Sequence, residues 1–474
     1  MAMPFTPSRR DFIGAMAALP AAAQLSAQSA TPRRSVMLLI GDDHGFEMGA
    51  YSHPVIQTPN LDRLAAEGVR FTNAFCTTAS CSASRSVILT GLHNHTNGQF
   101  GHAHGYNHFS SHDWVKSLPA LLKPQGYTTG VIGKLHVEPA AIYPFDFSRL
   151  NDPRNVVRMA EEARQFFNQC AGTPFFLLVG FADPHRSALR FGNEKSYPGV
   201  EPVVYSPDDV IIPPFLPNQP EVRTELAEYY QSVSRMDLGV GMMLKALEAA
   251  GRSDETLVLY ISDNGMPFPG AKTTLYDPGV NLPMIVRSPA QKERSRVQDA
   301  MVTYTSITPT ILDWTGVPPP DYPLHGASIL PILEESSPKG WDEVYFSHTF
   351  HEITMCYPMR GMRTRKYKYL HNLIHDQVYP FASDLYDSPT WQGVLQRGDK
   401  QMGVKNVEAF LRRPEEELYD LENDPHELHN LAGSEKYAAV LEDLREKTRA
   451  FQKSTQDPWW IGDRGMHPHR LWAG

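Results

Sequence analysis

The chain has only four cysteines in 474 residues, too few for a disulfide framework, and setting Cys81 aside leaves an odd number. It also lacks an excess of positive charge. Lys and Arg total 44 against 53 Asp and Glu, a formal net charge of −9, which argues against a general binder of nucleic acid or other polyanions. No internal repeat or low-complexity tract is present, and past the N-terminus no apolar run is long enough to span a bilayer. The remainder is ordinary globular composition, 41% hydrophobic and 20% charged. The 39 prolines imply many ordered loops rather than a helical bundle. The length exceeds the roughly 250–300 residues at which a single core stops growing. A catalytic domain over 31–345 and a smaller domain over 346–474 are therefore expected.

The first 30 residues read as an export signal. Ser8-Arg9-Arg10-Asp11-Phe12-Ile13 resembles the twin-arginine motif, an Ala-rich apolar stretch follows, and small residues up to Ala30 offer cleavage sites. The expected location is periplasmic or secreted.

Val36 to Ile40 is a continuous apolar run, as in a strand buried on both faces, and it ends at Gly41-Asp42-Asp43-His44. The same grammar recurs. Tyr127 to Ile132 runs into Gly133-Lys134-Leu135-His136, Phe175 to Phe181 into Asp183-Pro184-His185, and Thr256 to Ile261 into Ser262-Asp263-Asn264-Gly265. Thr58-Pro59 opens a helix, with Thr58 as cap, that stops near Gly68; Glu221 to Ala250 carries apolar residues at helical spacing. Strands alternating with helices predict an α/β fold, a mostly parallel sheet flanked by helices. Ligands of such sheets bind outside the carboxyl ends of the strands, where all four polar clusters fall. After about residue 345 the texture changes. Gly361 to Leu370 reads as an exposed charged strand, Glu417 to Leu421 as another, and about Glu435 to Gln452 as a covering helix, so the smaller domain is expected to hold an antiparallel sheet.

Asp42, Asp43, Asp263 and Asn264 are hard oxygen donors that suit Ca²⁺, with bonds of about 2.3–2.6 Å, better than zinc, which prefers imidazole or thiolate. Residues 93–112 hold six histidines (His93, His95, His102, His104, His108, His112). Their spacing fits no zinc pattern, so a loop lining the pocket is the expectation.

Cys81-Ser82-Ala83-Ser84-Arg85, followed by Ser86-Val87-Ile88-Leu89-Thr90-Gly91, resembles the catalytic segment of type I sulfatases, with alanine at position 83 where that family usually has proline. The resemblance covers roughly residues 33–460 and implies the alkaline-phosphatase/sulfatase-like fold. It also implies oxidation of Cys81 by a maturing enzyme to Cα-formylglycine, whose hydrate binds Ca²⁺ with the four oxygen donors and attacks sulfur. The same resemblance assigns Arg85 to the hydrate, Lys134 and Lys272 to the sulfate oxygens, His136 to a hydrate hydroxyl and His185 to protonation of the leaving group. With a divalent cation, these three cationic side chains against three carboxylates leave a pocket of net +2. Phosphatases of the superfamily place Asp-His where this chain has Asp263-Asn264.

Four further segments narrow the resemblance to the heparan N-sulfatase (sulfamidase) branch. They are Tyr143-Pro144-Phe145-Asp146-Phe147, Asp183-Pro184-His185-Arg186, Ser262 to Pro269, and His351-Glu352-Ile353-Thr354-Met355-Cys356-Tyr357-Pro358-Met359-Arg360. Lys272 stands where that branch has arginine, which keeps the charge and loses a bidentate fork. The branch implies a sulfated saccharide substrate, a homodimer, and sugar contacts from Arg186, His351 and Glu352. Chemistry alone leaves N-sulfate and O-sulfate open, and a phosphoryl or phosphonate hydrolase or an inactive sulfoglycan-binding protein are the other readings.

Overall fold

The computed structural model describes residues 34–187 and 190–460. The expected export signal lies outside the described residues. Among those described, no helix is long and apolar enough to cross a membrane.

The core is a nine-stranded sheet: β1 (Ser35–Gly41), β2 (Val69–Phe75), β3 (Thr128–Gly133), β4 (Phe147–Arg149), β5 (Phe175–Gly180), β6 (Thr256–Ser262), β7 (Asn281–Arg287), β8 (Arg296–Gln298) and β9 (Val302–Thr303). The order is β4-β3-β5-β1-β6-β7-β2-β8, with β9 also on β2. Only β7 runs against its neighbours, β6 and β2. β1 sits at the centre, pairing parallel with β5 (Val36 opposite Phe176) and with β6 (Val36 opposite Leu257).

Both faces of β1 are covered, which is why its sequence is uniformly apolar. Val36, Leu38 and Ile40 enter one hydrophobic cluster and Met37 and Leu39 the other. The first cluster includes the helices Cys81–Thr90 and Ile307–Thr315. The second includes the helices Pro59–Glu67, Val156–Gln169 and the 30-residue Pro220–Ala249. Pro59 stands in the first turn, as expected. Thr58 differs from expectation: its side chain makes no cap bond, because its hydroxyl donates to Asp62 (3.1 Å) and accepts from the Gly49 amide (2.8 Å).

A second sheet, antiparallel, begins at Glu343: β10 (Glu343–Phe350), β11 (Cys356–Thr364) and β12 (Tyr367–Asn372). The short pair β13 (Gln401–Met402) and β14 (Lys405–Asn406) intervenes before β15 (Glu416–Asp420) closes the order β10-β11-β12-β15. Phe346, Met359 and Leu370 join the first large cluster. On the other face Met362, Tyr369 and Leu418 pack under Leu441 and Leu444 of the helix Ala438–Ser454.

Gly361–Leu370 is not one exposed strand. It turns at Arg365-Lys366 between β11 and β12, and two of its charges are buried. Lys368 binds Asp277 (2.5 Å) and Glu427 (2.6 Å), and Arg363 binds Asp277 (3.2 Å). Alternation along a strand sends every second side chain inward, and here the inward charges meet the carboxylates of Asp277 and Glu427. All four cysteines are free thiols.

Candidate active site

The polar clusters at the carboxyl ends of β1, β3, β5 and β6 converge on Cys81. Cys81 is the first residue of its helix, whose last turn closes at Gly91 with φ +69°, a left-handed conformation that glycine adopts freely. Its thiol is fully buried, 3.6 Å from Asp43 Oδ1. One ligand atom each from Asp42, Cys81 and Asp263 lies within 4.8 Å of the others, and so it is for Asp43, Cys81 and His185. Burial and the carboxylates of Asp43 and Asp42 outweigh Lys272 and Lys134 and push the Cys81 thiol up. As encoded it is a poor thiolate nucleophile.

The acidic cluster is tightly cross-linked. Asp42 Oδ2 accepts from Lys134 Nζ (2.6 Å), and Asp263 Oδ2 accepts from Arg85 Nε (2.7 Å). Asp43 Oδ1 accepts from the Asn264 amide (2.7 Å) and Oδ2 from Lys272 Nζ (2.9 Å). Arg85 also donates to the Lys134 carbonyl (2.8 Å), which passes so close to Gly180 that a Cβ there would sit 1.9 Å from that oxygen. Burial opposes ionisation of Asp42, but Lys134, His185 and Arg85 hold its carboxyl well below the usual range. Burial and the neighbouring charge of Asp42 push Asp263 up to about 7, against the pull of Arg85. Among the described residues, Asp42 Oδ1 and Asn264 Oδ1 are buried with no hydrogen-bond partner. Orphaned oxygens among three crowded carboxylates are what a hard divalent cation would satisfy, so Asp42, Asp43, Asp263 and Asn264 could hold one. Asp43 (φ +64°) and His136 (φ +63°) are left-handed non-glycine residues, a strain that clusters at functional sites.

Lys272 Nζ forms a junction. Besides Asp43 it reaches Asp384 Oδ2 (2.8 Å) and His185 Nε2 (3.1 Å). His185 Nδ1 is 2.6 Å from the Arg186 carbonyl, which makes Nδ1 the donor and leaves Nε2 facing the cluster. Burial and Lys272 lower the His185 pKa. On the opposite side His136 Nε2 lies 2.6 Å from His104 Nδ1, and His102 packs on His351 with ring centroids 3.9 Å apart. His102, His104 and His136 bring ring nitrogens within 4.8 Å of one another.

The histidine-rich stretch divides. His102 and His104 line this pocket. His93 and His95 do not: they pack on Phe451 of the C-terminal helix, where His95 Nε2 bonds the Thr455 hydroxyl (2.9 Å).

The three residues expected to meet a sugar differ in placement. His351 is buried, with Nδ1 3.0 Å from Ser80 Oγ. Glu352 accepts from the Ser383 hydroxyl (2.5 Å). Arg186 is held by other partners: its guanidinium packs against both the Phe191 and Phe268 rings, is ion-paired to Glu225 and donates to the Pro267 carbonyl (2.8 Å).

Sequence reasoning missed Asp384. It sits in the short helix Ser383–Tyr386, outside every recognised motif, and no local pattern marks it. Burial opposes its ionisation, but Lys272 and His185 hold the carboxyl below its ordinary range. With Asp384 included, the pocket and a divalent cation would carry net +1 rather than +2.

Two family models match the chain. One, described as sulfatase, covers residues 34–317, and the other, described as N-sulphoglucosamine sulphohydrolase C-terminal, covers residues 271–402. The human N-sulphoglucosamine sulphohydrolase is 42% identical over 92% of this chain and 93% of its own length. An ulvan-active sulfatase of Formosa agariphila is 28% identical over 89% of this chain and 80% of its own. Among solved structures, one described as a complex with its substrate D-glucosamine-2-N,6-O-disulfate superposes with a TM-score of 0.67. It is 22% identical and covers 90% of this chain and 99% of that one.

Proposed function

The chain belongs to the sulfatase family, and on that premise we propose that it hydrolyses the S–N bond of a terminal N-sulfoglucosamine in heparan-type saccharides, releasing sulfate and an amine. The observation that carries this reading is the 42% identity to the human N-sulphoglucosamine sulphohydrolase along nearly the full length of both chains.

The reading assigns Asp42, Asp43, Asp263 and Asn264 to one Ca²⁺, with position 81 completing the set. When bound, that ion would neutralise crowded carboxylates and draw electron density from the attacking oxygen. Formylglycine at position 81 would supply that oxygen, a role the buried encoded thiol is ill-suited to fill.

Arg85 and the helix that carries it fix Asp263 and the Lys134 carbonyl in one frame. Lys134 and Lys272 bind the sulfate oxygens, exchanging carboxylate partners for the anion. His136, held by His104, takes a proton from the nucleophile. His185 presents Nε2 to the leaving nitrogen, and its Nδ1 bond to the Arg186 carbonyl fixes the tautomer and ring plane. Arg186 acts behind it, tying the His185 loop to Pro267. His351 and Glu352 border the pocket from the turn that follows β10, where a sugar ring would lie. Asn264 in place of histidine disfavours the phosphatase reading.

The same reading includes maturation of Cys81 by a separate enzyme, twin-arginine export of the folded protein and a homodimeric state. It is supported for export by Arg9-Arg10 and for the rest by family resemblance.

The test is sulfate release from N-sulfoglucosamine against glucosamine 6-O-sulfate, with the mass of the Cys81 peptide read in parallel. Turnover of the N-sulfate is expected together with the mass loss that separates CH₂SH from CHO. Turnover of the 6-O-sulfate alone would establish the O-sulfatase reading instead, and full turnover with a free thiol at position 81 would remove the covalent scheme.

A further inference from the structure

Asp384 belongs to none of the sequence motifs, yet it shares the Lys272 ammonium with Asp43 and stands 3.9 Å from His185 Nε2. It differs from the other carboxylates in two ways. Asp42, Asp43 and Asp263 are shut off from solvent, whereas the Asp384 side chain keeps 19% of its surface, so a ligand can reach it. Its Oδ2, the oxygen near His185 Nε2, spends one lone pair on Lys272 (2.8 Å) and keeps a second for a ligand, while Oδ1 is buried with no hydrogen-bond partner among the described residues.

The proposed reaction puts the leaving atom against His185 Nε2, and hence within reach of Asp384. A sulfamate nitrogen carries one hydrogen there, and a sulfate ester oxygen carries none. We infer that Asp384 is a specificity-determining residue that accepts a hydrogen bond from the sulfamate N–H, so that the site favours N-sulfate over O-sulfate.

This inference rests on the S–N reading above and adds the residue that enforces it. As the S–N bond breaks, sulfur passes to the attacking oxygen and the bonding pair stays on nitrogen. His185, protonated on both ring nitrogens before cleavage, gives its Nε2 proton to that nitrogen, leaving a primary amine and a neutral imidazole whose Nδ1–H stays on the Arg186 carbonyl. Asp384 exchanges no proton. Its carboxylate holds the N–H before cleavage and the amine, or the ammonium it becomes, afterwards. An ester offers only oxygen lone pairs to the same carboxylate, which repel it and leave a dry acceptor unpaired. A site built to hydrogen-bond an N–H discriminates strongly against the analogue that lacks it.

A residue that merely steadied Lys272 would serve both substrates equally, and the experiment turns on that difference. Asp384→Ala and Asp384→Asn are compared with wild type for kcat/KM on N-sulfoglucosamine and on an aryl sulfate ester, with thermal midpoints to confirm folding. The ratio of N-sulfate to ester turnover is expected to fall at least tenfold. A parallel loss on both substrates overturns the inference. Where ester turnover is too slow to read, competitive inhibition by glucosamine and by inorganic sulfate gives the same split. Inhibition by glucosamine should weaken at least tenfold in Asp384→Asn while inhibition by sulfate changes little, and equal weakening overturns it. Wild-type protein that carries formylglycine and releases no sulfate from N-sulfoglucosamine would remove the reaction reading and this inference together. A normal wild type with an unchanged ratio in the variants removes only the inference.

Discussion

Asp457→Asn is expected to destabilise the fold and to do so in a pH-dependent way. Arg360 Nε and Nη2 donate to the two carboxylate oxygens of Asp457 at 2.5 and 2.9 Å, and both side chains are fully buried. A third contact, Arg360 Nη1 to the His348 carbonyl (2.8 Å), makes the guanidinium a rivet between β10, β11 and the end of the C-terminal helix. Burial would raise the Asp457 carboxyl, but Arg360 outweighs it and holds the pKa at about 2 against an ordinary 3.8. That difference corresponds to about 2 kcal/mol of stability. The amide substitution also leaves a buried guanidinium without a counter-charge, which raises the expected loss at neutral pH to about 3–5 kcal/mol. A depressed carboxyl contributes its full stability above pH 3.8 and loses it as pH falls through about 2. The gap between wild type and variant should therefore be constant at neutral pH and close between about pH 4 and 2. Denaturant midpoints across that range measure it. A gap at neutral pH below about 1 kcal/mol, or one that persists unchanged at pH 2, would refute the assignment of this pair as a buried, charge-dependent clamp.

Two other perturbations test the site. Asp263→Asn removes one of three carboxylates from the proposed Ca²⁺ set, so calcium retained after dialysis should fall along with turnover; unchanged metal content and rate would take Asp263 out of the set. Gly180→Ala places a methyl group 1.9 Å from the Lys134 carbonyl and 2.9 Å from the Arg85 guanidinium. It should cost about 1–3 kcal/mol or more and lower turnover by displacing Lys134; a variant with wild-type melting and rate would show that the strand ends can part freely.

The sheet was legible because buried strands carry a simple signal. β1 and β5 read as unbroken apolar runs, since both of their faces are covered, and each ends at a polar cluster. The charged hairpin of β11 and β12 misled for the opposite reason. Inward-pointing Arg363 and Lys368 look like surface residues until Asp277 and Glu427 are brought to them. The histidine-rich stretch was legible in part: His102 and His104 line the pocket as expected, while His93 and His95 pack on the C-terminal helix.

What the chain alone determined was the buried apolar strands, the four polar clusters at their ends and the residue types that suit a cation, local features written in spacing and periodicity. The Cys81 segment was marked by its resemblance to a family motif, and its helix by the structure. The tertiary structure alone decided that Asp384 shares an ammonium with Asp43, that Ser80 engages His351 and that Arg186 turns to Glu225. Such partners lie more than a hundred residues apart in the first case, hundreds in the second and tens in the third, and no periodicity links them. A buried charge takes whichever counter-charge packing delivers, and packing is a property of the assembled layers.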